Sequence, residues 1–423
     1  MDIKIIPKNN IGGKITVPGD KSISHRALIL GAIAEGVTEI DGFLAAEDCL
    51  ATINCLRKLG VKIEHSGDAA RVFGVGLHGL QKPTDALYVG NSGTTLRLLT
   101  GLLAGQSFDT MLDGDASIRR RPMDRVITPL TQMGANISGS KAPISIKGTK
   151  LRGTHYKMPI ASAQVKSAIL LAALYAQGET IVEEPTPGAT RNHTENMMKH
   201  MGIDLDISGK IIKYNGGILT GHKICVPGDF SSAAFFVVAG VLLAKDGLTI
   251  ENVGINPTRI GLLDALRQMG AKISVSNRKK TLGNEEVGDI FVKKSALRPI
   301  VLSGDIVPRM IDEIPIFAVA ALFASGTTEI RDAAELTVKE SNRIAVMATE
   351  LTKMGAKVQP QTDGMIIYEN HPLTGAEIDS HEDHRVAMSL AIAATVAHNS
   401  TRIKNANCTN ISFPNFFQIL GNI

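Results

Sequence analysis

The 423-residue chain carries 45 Lys and Arg against 41 Asp and Glu, a net charge of +4, with 44% hydrophobic and 20% charged residues. This balance excludes collagen-like, disulfide-framework and disordered chains and fits two or three globular domains. An excess of four is too small for a nucleic-acid coat, although a few cations gathered in one cleft select small anions.

The cysteines Cys49, Cys55, Cys225 and Cys408 form no CxxC pair and no Cys/His zinc spacing, so no disulfide scaffold or structural metal is expected and a reducing cytoplasm fits. The opening MDIKIIPKNN lacks an apolar core segment, and stretches such as Phe235 to Ala244 fall short of the ~20 residues of a bilayer span. Neither a signal peptide nor a membrane helix is expected.

In chain order, an apolar run closed by a small turn and a β-like segment recurs six times: LGAIAEGVTEI, TGLLAGQSFDTML, LAALYAQGETIV, AGVLLAKDGLTI, VAALFASGTTEI and AATVAHNSTRI. The turn residues Gly36, Gly105, Gly178, Gly247, Gly326 and Ser400 set a period of about seventy residues. A second, amphipathic stretch follows each run and ends at Gly60, Gly134, Gly202, Gly270, Gly355 or Gly421, where glycine suits a left-handed helix cap. Each unit reads as helix, strand, helix, strand and one or two further strands. The last unit stops at Ile423 as its second β-segment begins, while IKIIP and GKITVPGD at the front resemble the closing strands KICVPGD and ALYVGNSG. Residues 1 to 19 are therefore expected to pair with the C-terminal half. The domains are then 20–227, and 1–19 with 228–423, three units each, with the active-site cleft between them.

Polar clusters precede the apolar runs: GDKSISHR, GNSGTTLR, ASAQVKS, GDFSSAA, RMIDEIP and SHEDHR. Ser, Thr, Asp and Gly there are good N-cap material. The cations are harder to explain as caps. Lys21, Arg26, Arg97, Lys166 and Arg385 in first helical turns face an unfavourable dipole term of roughly 0.3 to 1 kcal/mol each. Arg121, Arg191, Arg259, Lys339 and Arg343 repeat the pattern at the second helices, where Pro122 suits a first helical position. Bound phosphate and carboxylate would relieve this repulsion. A solvated or salt-bridged side chain is the alternative at any single position.

Other signals lead nowhere. GVGLHG at 74–79 matches GxGxxG, but Gln81, Lys82 and Pro83 follow instead of a helix; GNSGTT lacks the GK[ST] ending; no GxSxG elbow occurs. His381, Asp383 and His384 lack HExxH spacing. With no Trp and 4% aromatics, base-stacking platforms are not expected.

GDKSISHRAL from Gly19, GNSGTTLR from Gly90, RRPM from Arg120, SAQVKSA from Ser162, TVKESNR from Thr337 and DHRVAMS from Asp383, in that order, resemble the signatures of the 5-enolpyruvylshikimate-3-phosphate synthases. The resemblance runs end to end. It implies an α/β fold of two similar domains, each of three βαβαββ units about a pseudo-threefold axis: the enolpyruvyl transferase fold, an inside-out α/β barrel. It also implies transfer of the enolpyruvyl group of phosphoenolpyruvate to the 5-hydroxyl of shikimate 3-phosphate, with release of phosphate, by a monomeric cytoplasmic enzyme of aromatic biosynthesis. No metal or organic cofactor, nucleic acid or membrane is implied.

Carried over by position, Lys21, Ser22, Arg26, Ser162, Gln164, Arg191, Asp312 and Lys339 hold shikimate 3-phosphate. Lys21, Asn91, Gly93, Arg121, Gln164, Arg343 and Arg385 hold phosphoenolpyruvate. Asp312 is the expected base for the attacking hydroxyl, and Glu340 or Lys21 the donor to the methylene carbon. Nearby cations favour an ionised Asp312 and oppose protonation of Glu340. Gly93 leaves room for the inhibitor glyphosate. The segment Cys408 to Pro414 has none of the lysine that some members carry there, which removes one expected phosphoenolpyruvate contact and leaves glyphosate sensitivity open. Two rival readings are a UDP-N-acetylglucosamine enolpyruvyl transferase, which normally has a cysteine near Asp113 to Arg121, and a non-catalytic anion or RNA-end binding protein on similar repeats.

Overall fold

The computed structural model describes residues 1–369 and 372–423. By internal contacts the chain forms two compact units. The N-terminal unit is Gly19–Pro227 with Lys280–Glu285; the C-terminal unit is Met1–Pro18, Gly228–Lys279 and Glu286–Ile423.

The apolar runs form helices buried on nearly every side, as a run hydrophobic all round should. In the N-terminal unit these inner helices are Lys21–Ala32, Gly93–Ala104 and Ala163–Ala173. In the C-terminal unit they are Phe230–Leu243, Ile314–Ala321 and His384–Thr395. Each set packs together at the centre of its own core. Small residues permit the closest approach: a Cβ on Gly101 would sit 2.3 Å from the Ala168 carbonyl oxygen of the neighbouring inner helix. The N-caps Asp20, Ser92, Ser162, Asp229 and Asp383 accept from main-chain N–H groups in the first turn, as their side chains allow.

One sheet backs each inner helix. In the first repeat the order is Lys223–Cys225, Glu35–Asp41, Ala69–Val75, Lys62–Ser66; the first pair is parallel and the others antiparallel. Among the described residues five sheets follow this four-stranded order and the sixth has three strands. Strands from the front of the chain serve two of them. Ile3–Ile5 pairs antiparallel with Thr401–Lys404, Ile3 opposite Ile403, and Gly13–Thr16 pairs parallel with Leu248–Gly254. Both pairings join the opening residues to the C-terminal half.

Amphipathic outer helices cover the sheets at Glu47–Lys58, Asp124–Gln132, His193–His200, Gly261–Gln268 and Arg343–Lys353. The glycines at 60, 134, 202, 270 and 355 beyond them have φ between +89° and +101°, the left-handed region that the sequence pattern called for. Gly421 differs, because it lies inside the short helix Phe416–Asn422. Pro122 also differs: the helix starts at Asp124, leaving the proline outside it.

The segment Lys280–Glu285 belongs to the N-terminal unit although strands of the C-terminal unit flank it in sequence. Cys225 N donates to Leu282 O at 2.8 Å, and Glu285 Oε1 lies 2.9 Å from His193 Nδ1 and 3.2 Å from Asn196 Nδ2. No pattern in the sequence marks this exchange.

Candidate active-site residues

In the N-terminal unit the starts of the inner helices bring the expected residues into two groups. The first surrounds Arg26. Its guanidinium donates from Nε to Thr194 Oγ1 at 2.7 Å, from Nη2 to Ser167 Oγ at 2.7 Å and from Nη1 to the Ser22 carbonyl at 2.9 Å. All three acceptors are neutral. Burial, with Arg191 adding like-charge repulsion, pulls Arg26 down to about 10, so it remains a cation at neutral pH. Arg191 Nη1 donates to Ser22 Oγ at 3.2 Å, placing a second guanidinium on the same helix start. Lys21, the first helical residue, reaches Asp48 Oδ2 at 2.9 Å. Asp48 and Thr194 are contributors that motif matching did not single out; each sits in the first turn of an outer helix.

The second group lies at the start of Gly93–Ala104. Arg121 Nη2 donates to Asn91 Oδ1 at 2.5 Å and to Ser117 Oγ at 3.1 Å, while Asn91 Nδ2 donates to Asp115 Oδ2 at 2.9 Å. Arg97 Nη1 donates to Gln164 Oε1 at 2.8 Å, and Gln164 Nε2 to Thr94 Oγ1 at 3.2 Å. Gly93 is the floor of this group: an added Cβ would lie 2.7 Å from Arg97 Nη1 and 3.1 Å from Arg121 Nη1. Ser162 caps the third inner helix, accepting from Val165 N at 3.4 Å.

A hydrogen-bonded chain beneath ties the groups together. His25 Nδ1 lies 2.8 Å from Thr52 Oγ1, Thr52 Oγ1 is 2.7 Å from Thr95 Oγ1, and Thr95 Oγ1 donates to Ser92 Oγ at 2.7 Å. Burial first, then Lys21 and Arg26, push the His25 imidazole well below its ordinary value.

In the C-terminal unit the cations are interleaved with carboxylates. Asp312 lies in the turn before Ile314–Ala321, where its Oδ1 is 3.5 Å from Lys339 Nζ and 3.6 Å from Arg343 Nη1. Ordinary capping does not describe it, since the N-cap position is Glu313 and has no side-chain cap bond. Arg343 also takes Glu340 Oε2 at 2.6 Å on Nη2 and Asp383 Oδ2 at 2.8 Å on Nε. Burial works against its charge, but Asp383, Glu340 and Asp312 outweigh that and hold the guanidinium well above the usual arginine range. Lys339 Nζ has Glu335 Oε1 at 2.9 Å. Arg385 Nη1 donates to Glu313 Oε1 at 3.4 Å, and the fully buried Glu313 also accepts from Ser231 Oγ. Asp383 and Glu313 are the buried carboxylates that meet these guanidiniums; in the sequence Asp383 stood out as the opening letter of a motif and beside His381 and His384, not as a partner of Arg343.

Two cations expected to await an anion are instead neutralised from within. Lys166 Nζ sits between Glu184 Oε1 at 3.1 Å and Glu195 Oε1 at 2.6 Å. Arg259 faces Glu313 Oε2 at 3.6 Å and Asp229 Oδ1 at 3.9 Å. A buried cation costs several kcal/mol unless paired, and these carboxylates supply the pairing. His381 is likewise engaged, Nε2 lying 2.8 Å from Glu350 Oε1. Among the described residues no group of three or more His, Cys, Asp or Glu could hold a metal ion, and no helix is long and apolar enough to cross a membrane.

Comparison with known proteins places the chain in a family. A curated relative from Thermoanaerobacter sp. (strain X514), named 3-phosphoshikimate 1-carboxyvinyltransferase, is 54% identical over 422 residues, covering 99% of each chain. The solved EPSP synthase from Acinetobacter baumannii matches with a TM-score of 0.87 at 46% identity, covering 100% of this chain and 98% of its own. The enolpyruvyl transferase NikO from Streptomyces tendae, with a TM-score of 0.82 at 16% identity over 99% of this chain and 96% of its own, shares the fold. With a family model matching residues 5–420, the chain belongs to the EPSP synthase (3-phosphoshikimate 1-carboxyvinyltransferase) family.

Proposed function

We infer that the protein transfers the enolpyruvyl group of phosphoenolpyruvate to the 5-hydroxyl of shikimate 3-phosphate, giving 5-enolpyruvylshikimate 3-phosphate and phosphate. The observation that carries the assignment of residues is the gathering of guanidinium and ammonium groups at inner-helix starts in each unit, where backbone N–H groups also favour anions. Arg26, Arg191, Ser22, Ser162 and Gln164 hold the shikimate phosphate and ring hydroxyls, with Lys339 and Asp312. Arg121, Asn91, Gly93 and Gln164 hold phosphoenolpyruvate, with Arg343 and Arg385, and Lys21 touches both reactants. The two sets serve one pair of bound substrates.

In the first step Asp312 takes the proton of the 5-hydroxyl as the oxygen bonds to C2 of phosphoenolpyruvate, and the C3 methylene takes a proton from Glu340 or Lys21. In the second, C3 returns a proton and the C2–O bond to phosphate breaks, restoring the double bond. Either donor must first leave a partner: Glu340 leaves Arg343 Nη2, and Lys21 leaves Asp48. Arginines fixed before the reaction stabilise the adduct's charge without reorganising, which supplies much of the rate.

The same reading makes the protein a monomeric cytoplasmic enzyme working without metal, organic cofactor, nucleic acid or membrane. The segment Asp113 to Arg121 contains no cysteine, which disfavours the UDP-N-acetylglucosamine reaction. Purified protein should release phosphate from phosphoenolpyruvate only when shikimate 3-phosphate is added. Release with UDP-N-acetylglucosamine instead, or none with either acceptor, would overturn the assignment.

A further inference from the structure

The segment from Glu184 to Asn192 forms no helix or strand and carries Arg191; the outer helix His193–His200 follows, with Thr194 and Glu195 in its first turn. One ammonium holds both flanks. Lys166 Nζ is 3.1 Å from Glu184 Oε1 and 2.6 Å from Glu195 Oε1, with side chains only 1%, 4% and 2% exposed. The same Glu184 oxygen accepts from Thr190 N at 3.1 Å and Thr190 Oγ1 at 2.6 Å, so the residue before Arg191 hangs from this carboxylate. On the other flank, Thr194 Oγ1 accepts from Arg26 Nε and lies 2.7 Å from the hydroxyl of Ser167, the neighbour of Lys166 in the inner helix.

We propose that Lys166 is a positioning residue for the shikimate 3-phosphate site, stapling the two ends of the segment that presents Arg191 and fixing the threonine that orients Arg26. The inference rests on the assignment of Arg26 and Arg191 to that substrate. Two buried carboxylates this near one another repel unless a cation lies between them, so the ammonium sets their spacing. Loss of that cation frees Glu184 to move toward water and takes Thr190 and Arg191 with it. The lysine thus contributes to anion binding without touching the anion.

The test compares Lys166→Met, Thr190→Val and Arg191→Ala with the unaltered full-length protein. Lys166→Met is expected to raise KM for shikimate 3-phosphate about ten-fold, and Thr190→Val, which keeps the buried triad, about three-fold. KM for phosphoenolpyruvate and kcat should each move less than about two-fold. In ligand-free protein both variants should speed amide hydrogen exchange across residues 185–192 while leaving the helix Gly93–Ala104 protected. Should Lys166→Met not fold, Glu184→Gln, which takes one carboxylate from the ammonium, carries the test with the same expected exchange and KM changes. Unchanged exchange across 185–192, or equal rises in both KM values, would overturn the staple. If Arg191→Ala leaves shikimate 3-phosphate binding intact, the substrate assignment fails instead, and the exchange measurement still decides whether Lys166 holds the segment.

Discussion

Arg26 of the N-terminal unit and the buried arginines of the C-terminal unit rest on different partners. In the N-terminal unit Arg26 donates to two hydroxyls and a main-chain carbonyl, every acceptor neutral. In the C-terminal unit Arg259, Arg343 and Arg385 each meet a carboxylate, and Arg343 meets three. A guanidinium on neutral acceptors keeps its charge available to an incoming phosphate. One held among carboxylates is already compensated, and in the proposed reaction Arg343 both meets phosphoenolpyruvate and frames Asp312 and Glu340. In the proposed reaction the difference separates a cation that only grips from one that also places the groups for proton transfer.

The largest expected effect tests the chemistry side. Asp312→Asn should lower kcat about a thousand-fold while calorimetry finds both substrates still bound; near-normal turnover would remove the base assignment. Next, Glu313→Gln withdraws the carboxylate shared by Ser231, Arg259 and Arg385 and should cost the C-terminal unit about 3 kcal/mol, read as faster hydrogen exchange in Phe230–Leu243. Arg26→Met should act differently: KM for shikimate 3-phosphate rises roughly a hundred-fold, yet ligand-free stability falls by less than in Glu313→Gln, since the lost donor served neutral acceptors and left no buried arginine unpaired. A stability loss matching that of Glu313→Gln would break the contrast.

Two smaller effects sharpen it. Gly93→Ala should raise KM for phosphoenolpyruvate about ten-fold with little change in stability, because the methyl displaces the flexible ends of Arg97 and Arg121 rather than backbone. For His25 the folded imidazole titrates well below 6.5, so the unfolded chain binds the extra proton first. Stability is therefore present above about pH 6.5 and falls as pH drops through that value toward the folded one. Exchange in Lys21–Ala32 should quicken over that window, and His25→Gln should flatten the dependence.

Much of the fold was legible because the physics is local. An all-apolar run with Asp or Ser before it and a small turn after it, repeated at a period of about seventy, favours a buried helix between strands, and the glycines after the outer helices had φ to match. The opening strands were legible through likeness to KICVPGD. What escaped was non-local. Lys166 and Glu184 are 18 residues apart and Arg343 and Asp383 are 40 apart, so no spacing rule announces their pairing. Helix-start cations looked alike in sequence, yet Lys166 and Arg259 pair with interior carboxylates while Arg26 donates to neutral acceptors. The transfer of Lys280–Glu285 to the other unit is of the same kind, set by where His193 and Asn196 stand.

The pairing of Ile3–Ile5 with Thr401–Lys404 also dictates the order of events on the ribosome. Those first residues emerge some four hundred codons before their partners, and Gly13–Thr16 likewise waits for Leu248–Gly254. Nearly all of the N-terminal unit is translated and can collapse meanwhile, whereas the leading peptide must stay unpaired, an open β-edge exposed to chaperones or to premature association until the last strand is made.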